Sequence, residues 1–205
     1  MTKIKESKFR SSRRLGVNIC GSSKNSFNKR NYPPGVHGQS SHTKKLTTYA
    51  TQLRFKQILR IMYGISEKQL RNIYLKSAKK KGDTGENMIA MLESRLMTVI
   101  YRSKFASSIY EARQLVGHAH FLVNNSKVNV PSYQLKVGDI ISIKDKSRKL
   151  EVIKRAGDSS ERIIPEYLSL SRDNMSISFD DIPSLSFVPN NSIIQIGQVI
   201  EYYSS

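Results

Sequence analysis

Residues 111–143 read EARQLVGHAHFLVNNSKVNVPSYQLKVGDIISI, and the period of their apolar residues changes part of the way along. Ahead of Gly117, Ala112, Leu115 and Val116 have the spacing of a helix that buries one face. Beyond Gly117 apolar and polar residues alternate, as in strands, and Asn124-Asn125 separates two of them as a turn. The segment DIISIK, residues 139–144, predicts a further strand. The stretch therefore predicts a short helix followed by a small antiparallel sheet.

Residues 46–64, LTTYATQLRFKQILRIMYG, predict an amphipathic helix that Gly64 ends. Apolar residues recur at helical spacing along one side; they are Leu46, Tyr49, Leu53, Ile58 and Ile61. Arg54, Lys56 and Arg60 fall outside this stripe. The helix is therefore expected to have a basic, exposed back.

Capping residues predict where the next helices begin. Ser66 and Gln69 match a capping box, in which the serine oxygen accepts from the third N–H and the glutamine reaches back. Asp83 can cap a helix that follows Gly82. Ser108 and Glu111 form a second capping box ahead of the short helix in the opening stretch. The region before the sheet is therefore predicted to be mostly helical.

The C-terminal sequences YLSLSRDNMSISF, residues 167–179, and IIQIGQVIEYY, residues 193–203, alternate like strands. A polar turn is predicted near Asp173-Asn174. Together with the helices and the sheet, this C-terminal hairpin segment places the chain in the α+β class.

Positive charge is concentrated in the N-terminal part of the 205-residue chain, whose net charge is +18. Residues 1–81 contain 20 Lys and Arg against 2 acids, residues 82–155 contain 12 against 7, and residues 156–205 contain 2 against 7. Such an excess indicates a polyanionic partner, most often a nucleic acid. No apolar run is long enough to span a membrane, and Cys20, the single cysteine, fits a reducing compartment.

Catalytic and metal-binding motifs are absent from the sequence. It contains no GxxxxGK[ST], GxGxxG, HExxH or GxSxG. The histidines His37, His42, His118 and His120 have neither cysteines nor a spaced acid beside them, so neither a metal site nor a cofactor is predicted. His118 and His120 are expected on one side of a strand start, facing RNA. The chain is therefore not predicted to be an enzyme.

Two loops rich in glycine have two interpretations each. KKKGDTG, residues 79–85, places three lysines before a helix start that could receive a phosphate, or it simply ends one helix and begins the next. RNYPPGVHGQ, residues 30–39, is predicted to be a sharp turn. It either acts only as a hinge or holds His37 as a rigid donor to the RNA backbone.

Two long stretches, residues 52–102 and the opening stretch, resemble the bacterial-type small-subunit ribosomal proteins of the S-four family. The resemblance runs in order from SRRLG, residues 12–16, to the terminal VIEYYSS, and is dense over residues 83–143. PGxHG, KGxTGEN and EARQLVxH are each weak motifs, but their order is specific. The family has four zinc-binding cysteines in some members and a glycine in place of Asn125, so this chain departs from it at both points.

The resemblance implies a helical domain at residues 46–93, completed by residues 156–205, with an S-four-type RNA-binding domain inserted at residues 94–155. Residues 1–45, polar and basic, are expected to form a loop-rich N-terminal arm that orders fully on its partner. The resemblance also implies direct binding to small-subunit rRNA early in assembly, contacts with the S-five and S-twelve proteins, an influence on decoding accuracy, and a place in the cytoplasmic ribosome or that of an organelle.

The predicted RNA-binding residues come from two arguments. Those that the resemblance implies position by position are Arg13, Arg14, His37, Arg54, Arg71, Lys81, Arg95, Arg113, Gln114, His118 and Asn124. Charge and position along the chain add Lys44, Lys45, Arg60, Lys79, Lys80 and Lys127. No small-molecule substrate and no membrane partner is predicted.

Two other functions would use the same small RNA-binding module. An RNA-modifying enzyme or synthetase would need a separate catalytic domain beside the first 93 residues, and pseudouridine formation or aminoacylation would reveal it. A stress-related factor on stalled subunits would usually be shorter and would lack the SRRLG and PGxHG segments. Its presence on large subunits would be transient, whereas a ribosomal protein is present in every small subunit.

Overall fold

The computed structural model describes residues 8–19, 21, 24–41, 45–157, 162–171, 175–189 and 193–204. The chain divides into an N-terminal unit, Met1–Leu75 with Ser192–Ser205, and a central unit, Lys76–Asn191. The predicted α+β class, with helices ahead of a small antiparallel sheet, is confirmed. The predicted domain boundaries at residues 45, 93 and 155 stay predictions. Within the described ranges, no helix has the length and apolar character that crossing a membrane requires.

Helices form most of the described N-terminal unit. Their bounds are α1 Lys8–Leu15, α2 Ser26–Lys29, α3 Gly38–Ser41, α4 Thr48–Met62, α5 Glu67–Ala78, which extends past the unit's boundary, and α10 Ile196–Ser204. The predicted capping box is confirmed, since the Gln69 N–H donates to Ser66 Oγ over 3.3 Å and the Ser66 N–H donates to Gln69 Oε1 over 3.2 Å. Sequence-local signals thus determine where α5 begins.

Part of the segment expected to be a loop-rich arm packs against α4. Helices α1, α2 and α3 lie within it, and Leu15 and Ile19 are buried together with Ile58 of α4. Ile193, near the C-terminus, packs against the same cluster. Few apolar residues in the segment suffice because α4 supplies the rest of the core.

Helix α10 replaces the strand predicted at residues 193–203, and that prediction is wrong. The helix packs against α4, with Val199 buried. The Tyr203 ring stacks on Tyr74 with centroids 5.0 Å apart, and its hydroxyl donates to Glu67 Oε1 over 2.8 Å. The β-branched residues of this segment favour a strand by propensity, but packing of one helical side against α4 overrides that preference.

Lys56 is buried, so its predicted position on the exposed back of α4 is wrong. Its side chain is 6% exposed, and Nζ lies 3.0 Å from Glu67 Oε1 and 4.2 Å from the centre of the Tyr202 ring. The carboxylate and the ring face compensate the buried charge. Conversely, Leu46 and Tyr49 of the predicted apolar stripe are exposed.

The described central unit combines short helices with a five-stranded sheet. The helices are α6 Thr84–Glu93, α7 Leu96–Arg102, α8 Ile109–Gly117 and α9 Glu151–Gly157, with 3-10 turns at Asp145–Ser147 and Leu185–Phe187. The strands are β1 Phe121–Val123, β2 Ser126–Lys127, β3 Ile140–Ile143, β4 Leu168–Ser171 and β5 Ser176–Phe179. The cap at α6 is confirmed, because Asp83 Oδ2 accepts from the Glu86 N–H over 2.8 Å.

The capping box predicted at α8 forms only in part. The Glu111 N–H donates to Ser108 Oγ over 3.2 Å, as predicted. The Glu111 carboxylate, however, accepts from the N–H and the hydroxyl of Ser107. The return bond is therefore made one residue earlier than a regular box would place it.

All strands of this sheet are antiparallel, in the order β2-β1-β3-β5-β4. The Asn124-Asn125 turn between β1 and β2 is confirmed, with φ of 47° and 62° at its two residues. Two positive φ angles are what this two-residue turn requires, and asparagine adopts them more readily than most residues. The predicted turn at Asp173-Asn174 lies outside the described residues.

The C-terminal hairpin extends the central sheet. Strand β5 pairs with β3, with Ile177 opposite Ile141, and β4 pairs with β5. Residues 168–179 therefore belong to the central unit, while α10 packs against α4. The C-terminal segment thus contributes two strands to the central unit and α10 to the N-terminal unit, and each half buries its apolar side against a different element.

A buried ion pair joins this C-terminal segment to the helices of the central unit. Glu93, at the end of α6, is 0% exposed and accepts two hydrogen bonds from Arg102, over 2.7 and 3.1 Å. The Tyr167 hydroxyl, just before β4, donates to the same carboxylate over 2.8 Å. The carboxylate is thus satisfied from two directions, as a buried charge must be.

Candidate nucleic-acid interface

Predicted RNA-binding residues in the N-terminal unit differ in exposure. Arg14, His37, Lys45 and Arg71 are exposed. Arg13, Arg54 and Arg60 are half-buried, and Lys44 lies outside the described residues. The exposed side chains are accessible to phosphates. Two of the half-buried ones, Arg13 and Arg54, also hydrogen-bond to backbone carbonyls of the protein.

Arg13 holds the loop that carries His37. Its Nε donates to the Tyr32 carbonyl over 3.1 Å, its Nη2 donates to the Pro33 carbonyl over 3.3 Å, and the guanidinium lies 5.1 Å from the centre of the Tyr32 ring. The carbonyls leave the charge of Arg13 uncancelled while fixing its position. The guanidinium thus contributes positive potential beside the loop and stiffens it.

Glycine is required at the end of this loop. A Cβ on Gly38 would lie 2.0 Å from the Pro33 carbonyl oxygen, which no backbone tolerates. Gly35, with φ of 108°, adopts a conformation that other residues rarely take. His37 is exposed between them, and its carbonyl accepts from Ser40 Oγ over 3.1 Å. The sharp turn predicted for this segment is therefore confirmed. The His37 imidazole makes no hydrogen bond with the residues that the structure describes.

Arg54 serves a structural contact as well. Its Nε donates to the Leu15 carbonyl at the end of α1 over 2.8 Å. This bond satisfies one of the carbonyls that a helix C-terminus leaves without a partner. Arg54 therefore ties α1 to α4 and is not simply a surface cation.

The Lys79–Lys81 segment forms an exposed cationic loop after α5. Gly82, with φ of 100°, makes the turn that brings the chain into α6, and the Lys81 carbonyl accepts from Asn87 Nδ2 over 3.2 Å. Asp83 uses its carboxylate on the Glu86 N–H, which fills one of the free donors at the start of α6. The structure thus supports the helix stop and start, and the three lysine side chains are exposed beside it.

Helix α8 and the β1–β2 turn position the predicted residues of the central unit. Gln114, His118, Asn124 and Lys127 are exposed and Arg113 is half-buried. Asn124 also has a structural role, since its Nδ2 donates to Asp139 over 2.9 Å and its Oδ1 accepts from the Ile140 N–H over 2.9 Å. This side chain fixes the hairpin to β3 and leaves little hydrogen-bonding capacity for RNA.

His118 and His120 do not lie on a strand, so that prediction is wrong. His118 ends α8, and Ala119, with φ of 55°, turns the chain before β1. The rings nonetheless lie near each other, with centroids 6.1 Å apart, and His120 Nδ1 is 2.9 Å from Ser147 Oγ. Burial, with the charges of His118 and Lys144, lowers the pKa of His120, which is therefore neutral at pH 7.

Beside His120 lies a basic segment that sequence reasoning missed. Lys144, whose N–H donates to the His120 carbonyl over 3.0 Å, begins a run that continues with Lys146 and Lys149. Lys146 and Lys149 are exposed. The sequence KDKSRK, residues 144–149, contains four cations in six residues and was a signal for this surface.

Arg95 is the least exposed of the predicted RNA-binding residues, at 5%. It lies at the N-cap of α7 without a capping bond from its side chain, and its Nε has no hydrogen-bond partner among the residues that the structure describes. Burial and the nearby charge of Arg113 lower the pKa of Arg95 to about 10, so it stays protonated at pH 7. The charge of Arg113, another predicted RNA-binding residue, therefore acts on Arg95.

The described residues hold no group of three histidine, cysteine or acidic side chains that could bind a metal ion. His42 and Cys20 lie outside the described ranges. The arrangement that the structure does contain is cationic, with donors on loops and helix ends in both units. Such donors suit phosphate and sugar oxygens.

Comparison with known proteins agrees with this chemistry. Residues 3–93 match the family described as ribosomal protein S4/S9 N-terminal domain, and residues 94–141 match the S4 domain. The chain is 46% identical to the small ribosomal subunit protein uS4 of Parvibaculum lavamentivorans, over 100% of this chain and 99% of the relative. The uS4 proteins of Granulibacter bethesdensis and Brucella ovis are 48% and 44% identical, each over the full length of both chains.

These matches confirm the resemblance on which the site residues depend. They extend from the N-terminal unit through the central unit into α10, at an identity well above that needed to infer a shared family. The chain therefore belongs to the uS4 family of small ribosomal subunit proteins.

Proposed function

We propose that this protein is a structural constituent of the small ribosomal subunit and binds its rRNA directly. The observation that carries the proposal is the full-length relationship to uS4 proteins, in a chain of net charge +18. The predicted contacts are cations and hydrogen-bond donors that are mostly exposed in both units. A polyanion is the partner that such a surface fits.

Binding would follow from charge and from the rigidity of the elements that carry the donors. The lysines at 79–81 and the exposed arginines neutralise phosphates and release counterions. His37 is presented by a loop that Arg13 and Gly38 hold in one shape. Because the donors stand at fixed positions, the protein recognises the shape of folded RNA more than its base sequence.

The role in the ribosome extends to assembly and to other proteins. We infer that the protein binds rRNA early, nucleates assembly of the small-subunit body, and contacts the S-five and S-twelve proteins in a way that influences decoding accuracy. These roles rest on the family relationship. A non-enzymatic role is supported by the names of the relatives, which are those of ribosomal proteins.

Sedimentation of ribosomes separates this function from its alternatives. We expect a tagged full-length chain to be present at one copy per small subunit in all small-subunit fractions, including those in translating ribosomes. Its presence in substoichiometric amounts, or chiefly on large subunits, would identify a stress-related factor instead. Modified nucleosides produced by the purified protein would identify an RNA-modifying enzyme.

A further inference from the structure

One end of the central sheet exposes large apolar side chains. Ile163, ahead of β4, is 82% exposed, and Ile182, after β5, is 64% exposed. Val137, in the turn before β3, is also exposed. Single apolar residues are ordinary on a protein surface, but several together, rimmed by polar groups, mark an interaction site. The predicted RNA-binding set includes none of these three, so RNA binding does not explain their exposure.

Backbone hydrogen bonds bring the three segments to the same end of the sheet. The Gly138 N–H donates to the Phe179 carbonyl over 2.8 Å, which joins the turn before β3 to the end of β5. The Asp180 N–H donates to the Tyr167 carbonyl over 3.0 Å, so the β4–β5 hairpin continues past its strands. The segments that carry the apolar residues therefore leave the sheet together.

The edge strand β4 begins at this end. It pairs with β5, and its outer edge pairs with no strand among the residues that the structure describes. Edge strands are usually protected by charged side chains, by proline or by a covering element. The sequence of β4, LSLS, contains neither a charge nor a proline. Such an edge is suited to accept an extended segment of another chain as an added strand.

Carboxylates stand beside the apolar residues. Glu166, Asp180 and Asp181 are all exposed. Asp180 accepts a hydrogen bond from the Ser169 hydroxyl, and Asp181 accepts one from the Ile182 N–H over 2.7 Å. Both donors are uncharged, so these bonds position the carboxylates without cancelling their negative charge.

Few cations oppose these carboxylates. Arg162 is directed elsewhere, since it donates to the Tyr101 carbonyl over 2.8 Å and lies 4.7 Å from the centre of that ring. Lys136 is an exposed cation in the turn before β3. Residues 156–205 contain 2 Lys and Arg against 7 acids, in a chain whose net charge is +18. A surface of this sign repels phosphates and attracts a basic partner.

We propose that this end of the sheet docks an extended segment of another protein that is rich in lysine and arginine. The docking surface comprises the outer edge of β4 and the side chains of Val137, Ile163, Glu166, Asp180, Asp181 and Ile182. Backbone pairing with β4 gives the segment its position, apolar side chains cover the isoleucines, and cations meet the carboxylates. The protein thereby gains a protein-binding surface opposite in charge to the one that meets RNA.

Photocrosslinking in assembled small subunits tests what occupies this surface. The full-length variant Ile182→p-benzoylphenylalanine is incorporated into small subunits, which are purified and irradiated. We expect a crosslink to a second protein, mapped to a segment in which lysine and arginine outnumber acids. A crosslink to rRNA, to a segment without this excess of cations, or to no other molecule would overturn the proposal.

A second position controls for proximity within a crowded particle. Val152→p-benzoylphenylalanine is the matched variant, because Val152 is also exposed but lies in α9, which follows the opposite end of β3. It should not crosslink to the segment that Ile182→p-benzoylphenylalanine captures. Equal crosslinking of that segment from both positions would show that docking is not confined to this surface, and the proposal would fail.

A synthetic peptide of alternating lysine and valine is the second probe, used with the purified full-length chain. Its binding should slow hydrogen exchange of backbone amides in β4, because an added strand pairs with that edge. The double variant Glu166→Gln with Asp181→Asn should bind the peptide at least about three-fold more weakly, since two charge pairs are lost. Glu151→Gln, which removes an exposed acid of α9, is the control and should bind it as the wild type does.

The peptide experiment has its own contradicting results. Unchanged exchange in β4 at saturating peptide, or equal weakening by Glu151→Gln, would overturn the proposal. This experiment needs no ribosome, so it separates two failures. If the chain is absent from small subunits, the proposed function fails, and the exchange of the β4 amides still decides whether the surface binds a basic segment.

Discussion

Replacing Glu93 by alanine is expected to lower the free energy of unfolding by about 3 to 5 kcal/mol. The carboxylate is fully enclosed and accepts bonds from Arg102 and Tyr167. Its removal leaves the Arg102 side chain, which is 10% exposed, without the partner that compensates its buried charge. The substitution also removes the hydrogen bond from Tyr167 that links the segment before β4 to α6. Urea unfolding followed by circular dichroism measures the effect.

Two further variants divide this effect into its parts. Tyr167→Phe removes one bond to a charged group and should cost about 1.5 to 3 kcal/mol. The double variant Glu93→Leu with Arg102→Met removes both charges and should be more stable than Glu93→Ala alone. If the double variant is no more stable than the single one, or if Glu93→Ala unfolds as the wild type does, the buried ion pair does not hold this unit together.

Replacing Gly38 by alanine is expected to have the largest effect on the His37 loop. The added Cβ would lie 2.0 Å from the Pro33 carbonyl oxygen, so the backbone of the loop must move. Enforced overpacking of this kind costs about 1 to 3 kcal/mol. The movement also breaks the bonds of Arg13 to this loop. We therefore expect lower stability of the N-terminal unit together with weaker binding to rRNA.

Variants of the neighbouring residues separate shape from chemistry in this loop. His37→Ala should weaken rRNA binding and leave the unfolding transition unchanged, because the imidazole is exposed and makes no hydrogen bond with the residues that the structure describes. Val36→Ala is the matched control, since this side chain is 96% exposed and is not a predicted contact. If His37→Ala lowers stability as much as Gly38→Ala does, the loop is only a hinge. If Gly38→Ala binds rRNA as well as Val36→Ala, the shape of the loop is irrelevant to binding.

The sequence predicts those features of the fold that depend on neighbouring residues. The capping box of Ser66 and Gln69, the cap by Asp83 and the turn at Asn124-Asn125 each involve residues at most three positions apart. Their geometry is decided within one turn of the chain, so residue type is sufficient to predict them.

Features that depend on distant residues were not predictable in this way. Lys56 is buried because Glu67 and Tyr202 meet it, and Tyr202 is far along the chain. The C-terminal segment becomes a helix at residues 196–204 because α4 offers an apolar side for it. The pattern of apolar and polar residues does not reveal which distant residues will pack against Lys56 or against the C-terminal segment. Propensity therefore favoured a strand where the structure has α10.

The candidate site shows the same division. Charge and family motifs predicted a set of RNA-binding residues, and most of the described ones are exposed. The sequence does not show that Arg13 and Arg54 bind backbone carbonyls, or that Arg95 is buried with an Nε that bonds to none of the described residues. These properties arise when segments distant in sequence pack together, and residue type alone does not reveal them.

The affinity of the purified full-length chain for small-subunit rRNA, measured over a range of salt concentrations, tests the central claim most directly. If many cations neutralise phosphates, affinity should fall about 1,000-fold or more between about 50 and about 200 mM salt, the magnitude expected for at least about six phosphate contacts. An excess of large-subunit rRNA should compete poorly, because the donors are arranged for one folded shape. An affinity that does not change with salt, or no binding at low salt, would contradict the account.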